Sequence, residues 1–318
     1  MNPSWTAIQD ARKFLQEAFA TTPLVPARSL SDESGRVYLK SEIGLPTGSF
    51  KVRGALFALH AAMARGPVRE VVAASTGNHG AAVAYAAQKL GVPAAIFLPQ
   101  RPNPVKRARI FSLGARIVET GFDISDALAA SREYARETAA FLLDDSTSPD
   151  VPAGAATIGC EIMEQLPNAS EIWVPMGDTA LIRAVATAAK HVRPSVRVVG
   201  VQAENAPSYY LSWQRGEVVT TETCNTIADG LATRTPVLDN VVAIRELVDA
   251  VHLVSDEQIL GAVRHLRAHE NVLAEPAGAA TTAAWMSQPR GSGQGEVVLL
   301  VTGGNITDEV LQRISDEE

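Results

Sequence analysis

The segment Val71-Val72-Ala73-Ala74-Ser75-Thr76-Gly77-Asn78-His79-Gly80 runs from β-branched residues and alanines straight into a turn of small, hydroxyl-bearing residues. A short apolar run that ends this way reads as a buried strand. Gly77 and Gly80 form the turn, and an alanine-rich helix follows from about residue 81 to 90, with Gly91 as its C-terminal stop. The rhythm then repeats. Strands are expected at 94–98, 115–119 and 140–143, separated by helices at 104–113, closed by Gly114, and at 124–139. The polar stretch 144–150 interrupts the pattern and marks a crossover. Beyond it the spacing predicts strands at 172–174, 196–201 and 297–301, and helices at 180–191, 256–269 and 278–286. Such alternation predicts an α/β fold with parallel sheet covered on both faces. The glycines of 289–295 are not followed by a helix, so that segment reads as a plain loop.

The bulk properties exclude several function classes. The 318 residues are 46% hydrophobic and 20% charged, as in soluble globular proteins. A net charge of -7 without a long basic cluster argues against nucleic acid as a partner. No apolar stretch approaches the ~20 residues of a membrane span. The N-terminus lacks a basic segment followed by an apolar one, so a cytoplasmic protein is expected. Cys160 and Cys224 lack metal-type spacing and read as two buried free thiols.

Four segments carry candidate chemistry. In Pro46-Thr47-Gly48-Ser49-Phe50-Lys51-Val52-Arg53-Gly54-Ala55, a lysine follows a Gly/Ser turn at the start of an alanine-rich helix. Burial there is expected to lower its pKa and leave an amine able to attack a carbonyl. Ser75 to Gly80 sits between strand and helix, where backbone N–H groups converge on an anion and the helix dipole adds to the pull. Val174-Pro175-Met176-Gly177-Asp178-Thr179-Ala180-Leu181 is a second such turn, and Val301-Thr302-Gly303-Gly304-Asn305 ends the last strand. Ligands of open α/β sheets bind at the carboxyl ends of strands, and these donor-rich loops lie at three of them.

The order and spacing of these segments resemble pyridoxal-phosphate (PLP) enzymes of the tryptophan-synthase-β fold type, most closely the serine/threonine dehydratase and serine racemase group. The resemblance runs from Thr22-Pro23-Leu24 to Asn305. It implies two open, twisted, mostly parallel sheets flanked by helices, with the cofactor in the interdomain cleft. Residues 1–54 and 148–318 would form the large domain, 55–147 the small one, and the working form would be a homodimer. By the same resemblance Lys51 holds PLP as a Schiff base and moves the proton at the substrate Cα, with Phe50 beside it. Asn78 bonds the cofactor's ring oxygen. Ser75, Thr76, Gly77, Asn78 and His79 receive the substrate carboxylate. Gly177, Asp178, Thr179 and Ala180 occupy the phosphate loop, Gly230 packs its backbone against the cofactor, and Glu275 lies near the ring or in domain packing. Thr302 stands against the pyridine nitrogen. A neutral hydroxyl does not hold that nitrogen protonated, so the ring is a weaker electron sink and prompt β-elimination is favoured over transamination.

Two departures stand out. Asp178 and Thr179 replace glycines, and a carboxylate about 4 Å from a phosphate charge costs about 4 kcal/mol at an effective dielectric near 20. Asp178 is therefore expected to point away and cap the next helix, with the Thr179 hydroxyl standing in for a backbone contact. In Glu204-Asn205-Ala206-Pro207-Ser208-Tyr209-Tyr210, Tyr210 stands where the racemase-like members need an aspartate ligand, so no divalent-cation site is expected. The activity expected is ammonia-releasing elimination from a β-hydroxy amino acid. The alternatives are amino-acid racemisation, for which Thr76 offers a hydroxyl on the second face, elimination from a bulkier or acidic substrate, and a non-catalytic PLP- or amino-acid-binding regulator.

Overall fold

The computed structural model describes residues 2–33, 35–75, 77–100, 102, 104–122, 124–289 and 295–315; Thr76 and residues 290–294 of the expected loop lie outside them. In chain order the strands are β1 (Leu24–Pro26), β2 (Gly35–Ser41), β3 (Val71–Ala74), β4 (Ala94–Leu98), β5 (Arg116–Glu119), β6 (Phe141–Leu142), β7 (Ala169–Pro175), β8 (Arg197–Ala203), β9 (Ala250–Val254) and β10 (Gly295–Val301). The helices are α1 (Trp5–Leu15), α2 (Lys51–Arg65), α3 (Asn78–Leu90), α4 (Pro104–Ser112), α5 (Ile124–Thr138), α6 (Val151–Gln165), α7 (Ala180–Val192), α8 (Ser208–Arg215), α9 (Leu238–Leu247), α10 (Asp256–Glu270), α11 (Pro276–Met286) and α12 (Asp308–Ser315).

Two sheets result. The larger has the order β1-β2-β10-β7-β8-β9 and the smaller β5-β4-β3-β6. Every pairing is parallel except that of β1 with β2. Parallel sheets are covered on both faces, so their strands read as continuous apolar runs without alternation. β4 is buried at all five positions and β8 at all but its first. This is the α/β architecture expected from the sequence, two mostly parallel sheets flanked by helices. Among the described residues no helix is long and apolar enough to cross a membrane.

Local physics moves some boundaries. α3 begins at Asn78, not near residue 81. Gly80 lies in its first turn, where a Cβ would stand 2.4 Å from the Ser75 carbonyl oxygen, so this glycine serves close approach of helix to strand. Gly91 does end α3, in the left-handed region at φ 69°. α6 was not legible as a helix, because Gly154 and Gly159 interrupt it. Each glycine costs about 1 kcal/mol against alanine. Added Cβ atoms would stand 2.4 Å from the Arg53 carbonyl oxygen and 2.7 Å from that of Val185. The glycines therefore let α6 press between α2 and α7. Ile158 and Ile162 are fully buried there, worth roughly 1.5–3 kcal/mol each, which outweighs the propensity cost. The clamp fixes the first turn of α2, where Lys51 sits. Of the two cysteines only Cys160 is buried, with its thiol pushed up to about 11 by burial; Cys224 is half-buried.

Candidate active site

Lys51 is the first residue of α2, and the chain before it is pinned to the end of β10. Ser49 bridges Gly303, the Phe50 N–H donates to the Thr302 carbonyl at 3.0 Å, and the Gly304 N–H donates to that of Gly48 at 3.0 Å. The end of β10 therefore sets the backbone of buried Thr302 against Phe50, the residue before the lysine. The Lys51 ammonium stands 5.3 Å from the centre of the Phe50 ring.

Beneath it lies a buried ionic network. Arg53 donates from Nε to Glu42 at 2.7 Å and from Nη1 and Nη2 to Glu161 at 2.6 and 3.0 Å, while Lys40 reaches Glu161 at 2.6 Å. Burial holds the Lys40 pKa below its ordinary value, and Glu161 offsets only part of that. Two cations meet two carboxylates, so the cluster is neutral and its geometry holds α2 in place.

The electrostatics of Lys51 differ from expectation. Its Nζ donates to Asp145 Oδ2 at 2.5 Å and to Asp178 Oδ2 at 3.0 Å. Burial by itself lowers the pKa, but Asp145 and then Asp178 outweigh it and hold the ammonium above the ordinary lysine range. Asp145 lies three residues beyond the end of β6. Burial raises its pKa, but His79 and Lys51 more than offset that and keep it well below the usual carboxylate range. Sequence reasoning passed over Asp145 as part of a polar crossover, although it follows a strand end just as the segments after β3, β7 and β10 do.

Asp178 also departs from its expected orientation. Its Oδ1 caps α7 by accepting from the Ala180 N–H at 2.8 Å, as expected, but its Oδ2 turns toward Lys51. The nearest cation takes the carboxylate. Thr179 adopts the left-handed region at φ 73°, which a β-branched residue enters only with strain. Its buried Oγ1 accepts from Arg183 Nε at 3.1 Å. Burial pushes the Arg183 guanidinium below its ordinary pKa, with Asp178 pulling it up. Gly177 packs so closely on the Gly230 carbonyl oxygen that a Cβ would stand 2.3 Å from it. Gly230 thus supports the loop from behind.

Asn78 opens α3. Its Nδ2 donates to Glu275 Oε1 at 2.7 Å and its Oδ1 accepts from Asn305 Nδ2 at 2.5 Å. His79 is buried, with Nε2 2.9 Å from the Leu143 carbonyl oxygen, so that nitrogen carries a hydrogen, and with Nδ1 3.5 Å from Asp145. Ser75 Oγ accepts from the Gly77 N–H at 3.2 Å. Thr76 falls outside the described residues. Asn305, Asp145 and Arg183 were not singled out from sequence. Tyr210 accepts from Gln214 at 2.7 Å and Glu204 is exposed. Among the described residues no group of three or more His, Cys, Asp or Glu side chains is placed to hold a metal ion.

The cleft suits the cofactor that the resemblance implies. Thr47 Oγ1 and Ser49 Oγ are buried without a hydrogen-bond partner, a cost of about 1–3 kcal/mol each unless a polar ligand satisfies them. The first turn of α7 presents N–H groups that lack helical partners. The loop before Lys51 is bonded to the Thr302 backbone and, through Asn305, to the Asn78 amide. Comparison with known proteins agrees. The family described as "Pyridoxal-phosphate dependent enzyme" matches residues 15–303. An L-threonine ammonia-lyase of Geobacter sulfurreducens is 36% identical over 303 residues, 95% of this chain and 75% of that protein. The structure of maize serine racemase superposes with a TM-score of 0.92 at 29% identity, covering 100% of this chain and 98% of the other. A threonine deaminase from T.th. does so at 0.89 and 33% identity, covering 96% and 99%. The chain belongs to the pyridoxal-phosphate-dependent enzyme family.

Proposed function

We propose that this protein removes water and then ammonia from a β-hydroxy amino acid such as threonine or serine, leaving a 2-oxo acid, with PLP carried on Lys51. What supports the reading is that the loop before Lys51 is bonded to the Thr302 backbone and, through Asn305, to the Asn78 amide. When bound, PLP supplies a sink for the electron pair left at the substrate Cα. Lys51 Nζ takes the proton from Cα. Lys51 Nζ hands that proton to the departing Cβ hydroxyl, which leaves as water, and the released enamine takes up water to give ammonia and the 2-oxo acid.

In this reading the remaining residues bind and orient. Ser75, Thr76, Gly77, Asn78 and His79 receive the substrate carboxylate at the head of α3. The Ser75 N–H already donates to the Phe97 carbonyl at 3.3 Å, so Ser75 takes part through its hydroxyl. Gly177, Asp178, Thr179 and Ala180 hold the phosphate at the head of α7, backed by Gly230. Phe50 lies beside the lysine, Asn78 holds the ring oxygen, Glu275 orients Asn78, and Thr302 faces the pyridine nitrogen. Residues 55–147, which contain the smaller sheet, form the small domain in this reading, and the protein works as a cytoplasmic homodimer. The test is Lys51→Ala. Loss of visible absorbance and of ammonia release from L-threonine, with the fold retained, is expected; full turnover in the variant overturns the proposal.

Racemisation is the second reading, favoured by likeness to serine racemase over the whole chain. Lys51 serves one face of Cα, so racemisation needs a second acid/base on the other. Thr76 is the residue proposed for it, and its β-branching restricts the hydroxyl. With L-serine, pyruvate is expected to form faster than D-serine; the reverse makes the protein a racemase, and Thr76→Ala then removes D-serine formation.

A further inference from the structure

Arg109 belongs to α4, on the side of the smaller sheet, yet its guanidinium reaches the loop before Lys51. Nη1 donates to Asn305 Oδ1 and Nη2 to the Thr47 carbonyl oxygen. Asn305 Nδ2 in turn donates to the same Thr47 oxygen at 2.9 Å and to Asn78 Oδ1 at 2.5 Å. Asn78 Nδ2 then donates to Glu275 at 2.7 Å. The backbone makes room for this relay at Gly48. With φ at 64°, a Cβ there would stand 2.6 Å from Asn305 Oδ1 and 3.3 Å from Arg109 Nη2.

We propose that Arg109 is a positioning residue that sets the Asn78 amide through Asn305, making the docking of α4 part of the active site. The two ends of an amide differ only in donor and acceptor, so its orientation is set by its partners. A guanidinium has donors only, so Asn305 must turn Oδ1 toward Arg109 and Nδ2 toward Asn78. That choice makes Asn78 accept on Oδ1, and its Nδ2 hydrogens point to Glu275 and into the cleft. Without the guanidinium, Asn305 Oδ1 loses its donor and the amide is held only through Nδ2, by the Thr47 carbonyl and Asn78, so it is less firmly placed. A loosened Asn305 lets the Asn78 amide shift between Glu275 and the ring oxygen it is proposed to hold. Arg109 touches neither cofactor nor substrate in this scheme; it acts through two amides.

The proposal rests on the elimination reading for its kinetic arm only. The experiment compares the PLP-loaded enzyme with Arg109→Ala, Arg109→Lys, Asn305→Ala and the Arg109→Ala/Asn305→Ala pair. Visible absorbance, its pH titration, and kcat and KM for L-threonine are read on the loaded protein, and melting on protein stripped of PLP. Arg109→Ala is expected to shift the absorption band or its titration and to lower kcat about tenfold, as small misplacements at a site do, with KM changed by less than about threefold. Arg109→Lys should recover part of both effects, and the double variant should be no worse than Asn305→Ala alone. An unchanged band and kcat with lowered melting makes Arg109 merely structural and overturns the proposal, as do additive effects in the pair. If no β-hydroxy amino acid is turned over, the elimination reading fails, while the absorbance arm still decides the role of Arg109.

Discussion

Replacing Asp178 with asparagine should tighten PLP binding, although the residue lies in the loop proposed to hold the phosphate. Asp178 Oδ2 stands 3.0 Å from Lys51 Nζ, and the two side chains are 22% and 17% exposed. At an effective dielectric near 20 the gross attraction at that distance is about 5 kcal/mol. Much of it offsets the desolvation of the two ions, and Lys51 keeps Asp145 at 2.5 Å when Asp178 is neutralised. A net of about 1–2 kcal/mol for a half-replaced pair is reasonable on those grounds. This attraction is strongest while Lys51 carries its ammonium charge. Joining the lysine to PLP weakens it, because an imine shares its charge with the ring oxygen, and brings a phosphate toward the same carboxylate. Asp178→Asn therefore removes an attraction from the stripped protein and a repulsion from the loaded one, and both changes favour loading.

The expected gain is tenfold or more in retention, since about 1.4 kcal/mol is a factor of ten. Asparagine caps helices as well as aspartate does, so its amide oxygen still accepts from the Ala180 N–H and the loop keeps its shape. The assay is equilibrium dialysis of PLP, followed by absorbance, with melting of stripped and loaded protein alongside. The stripped variant should melt a few degrees lower and the loaded variant no lower than the parent. Retention weakened more than about threefold refutes the reasoning and assigns the carboxylate a positive part in holding the cofactor.

PLP uptake by stripped protein should quicken as pH rises, by about tenfold per unit, because only the neutral Lys51 amine reacts; Asp145→Asn should raise the rate at neutral pH, and a flat profile refutes the raised pKa. The same linkage gives Asp145 a stabilising effect that is present above the ordinary carboxylate range and lost as pH falls through its depressed value, so the stripped parent should lose melting temperature in acid and Asp145→Asn should flatten that loss. Thr179→Gly relieves about 1–2 kcal/mol of left-handed strain but deprives buried Arg183 of an acceptor worth about 1.5–3 kcal/mol; it should melt below Thr179→Ser, which keeps the hydroxyl, and the opposite order shows that strain dominates. Glu161→Gln leaves Arg53 and Lys40 with one carboxylate between them, so a loss of about 3 kcal/mol or more is expected, or roughly 6–12 °C in melting temperature; a shift under about 2 °C means that the network does not hold α2.

The strand-turn-helix units of the smaller sheet were legible because their signals are local: a β-branched run, small residues, an alanine-rich stretch, a closing glycine. β2 and α6 were not. β2 carries Arg36, Lys40 and Ser41, and its place between β1 and β10 is fixed by pairing with residues some 260 positions away. α6 carries two glycines whose reason lies in the helices it touches. The same distinction runs through the active site. The lysine, the asparagine and the strand-end loops announce themselves by spacing, because cradling an anion or presenting an amine requires particular residues in a row. The charge state of Lys51 does not. Its two carboxylates are 94 and 127 residues away, and a local reading of an apolar neighbourhood yields the wrong sign for its pKa. Asp145 was nevertheless within reach of sequence reasoning. If ligands gather at the carboxyl ends of parallel strands, the acidic pair that follows β6 belongs to the same rim as the loops after β3, β7 and β10, and an acid on that rim faces whatever cation the site contains. The strand-end rule locates a site, and counting the charges that every strand end contributes gives its electrostatics.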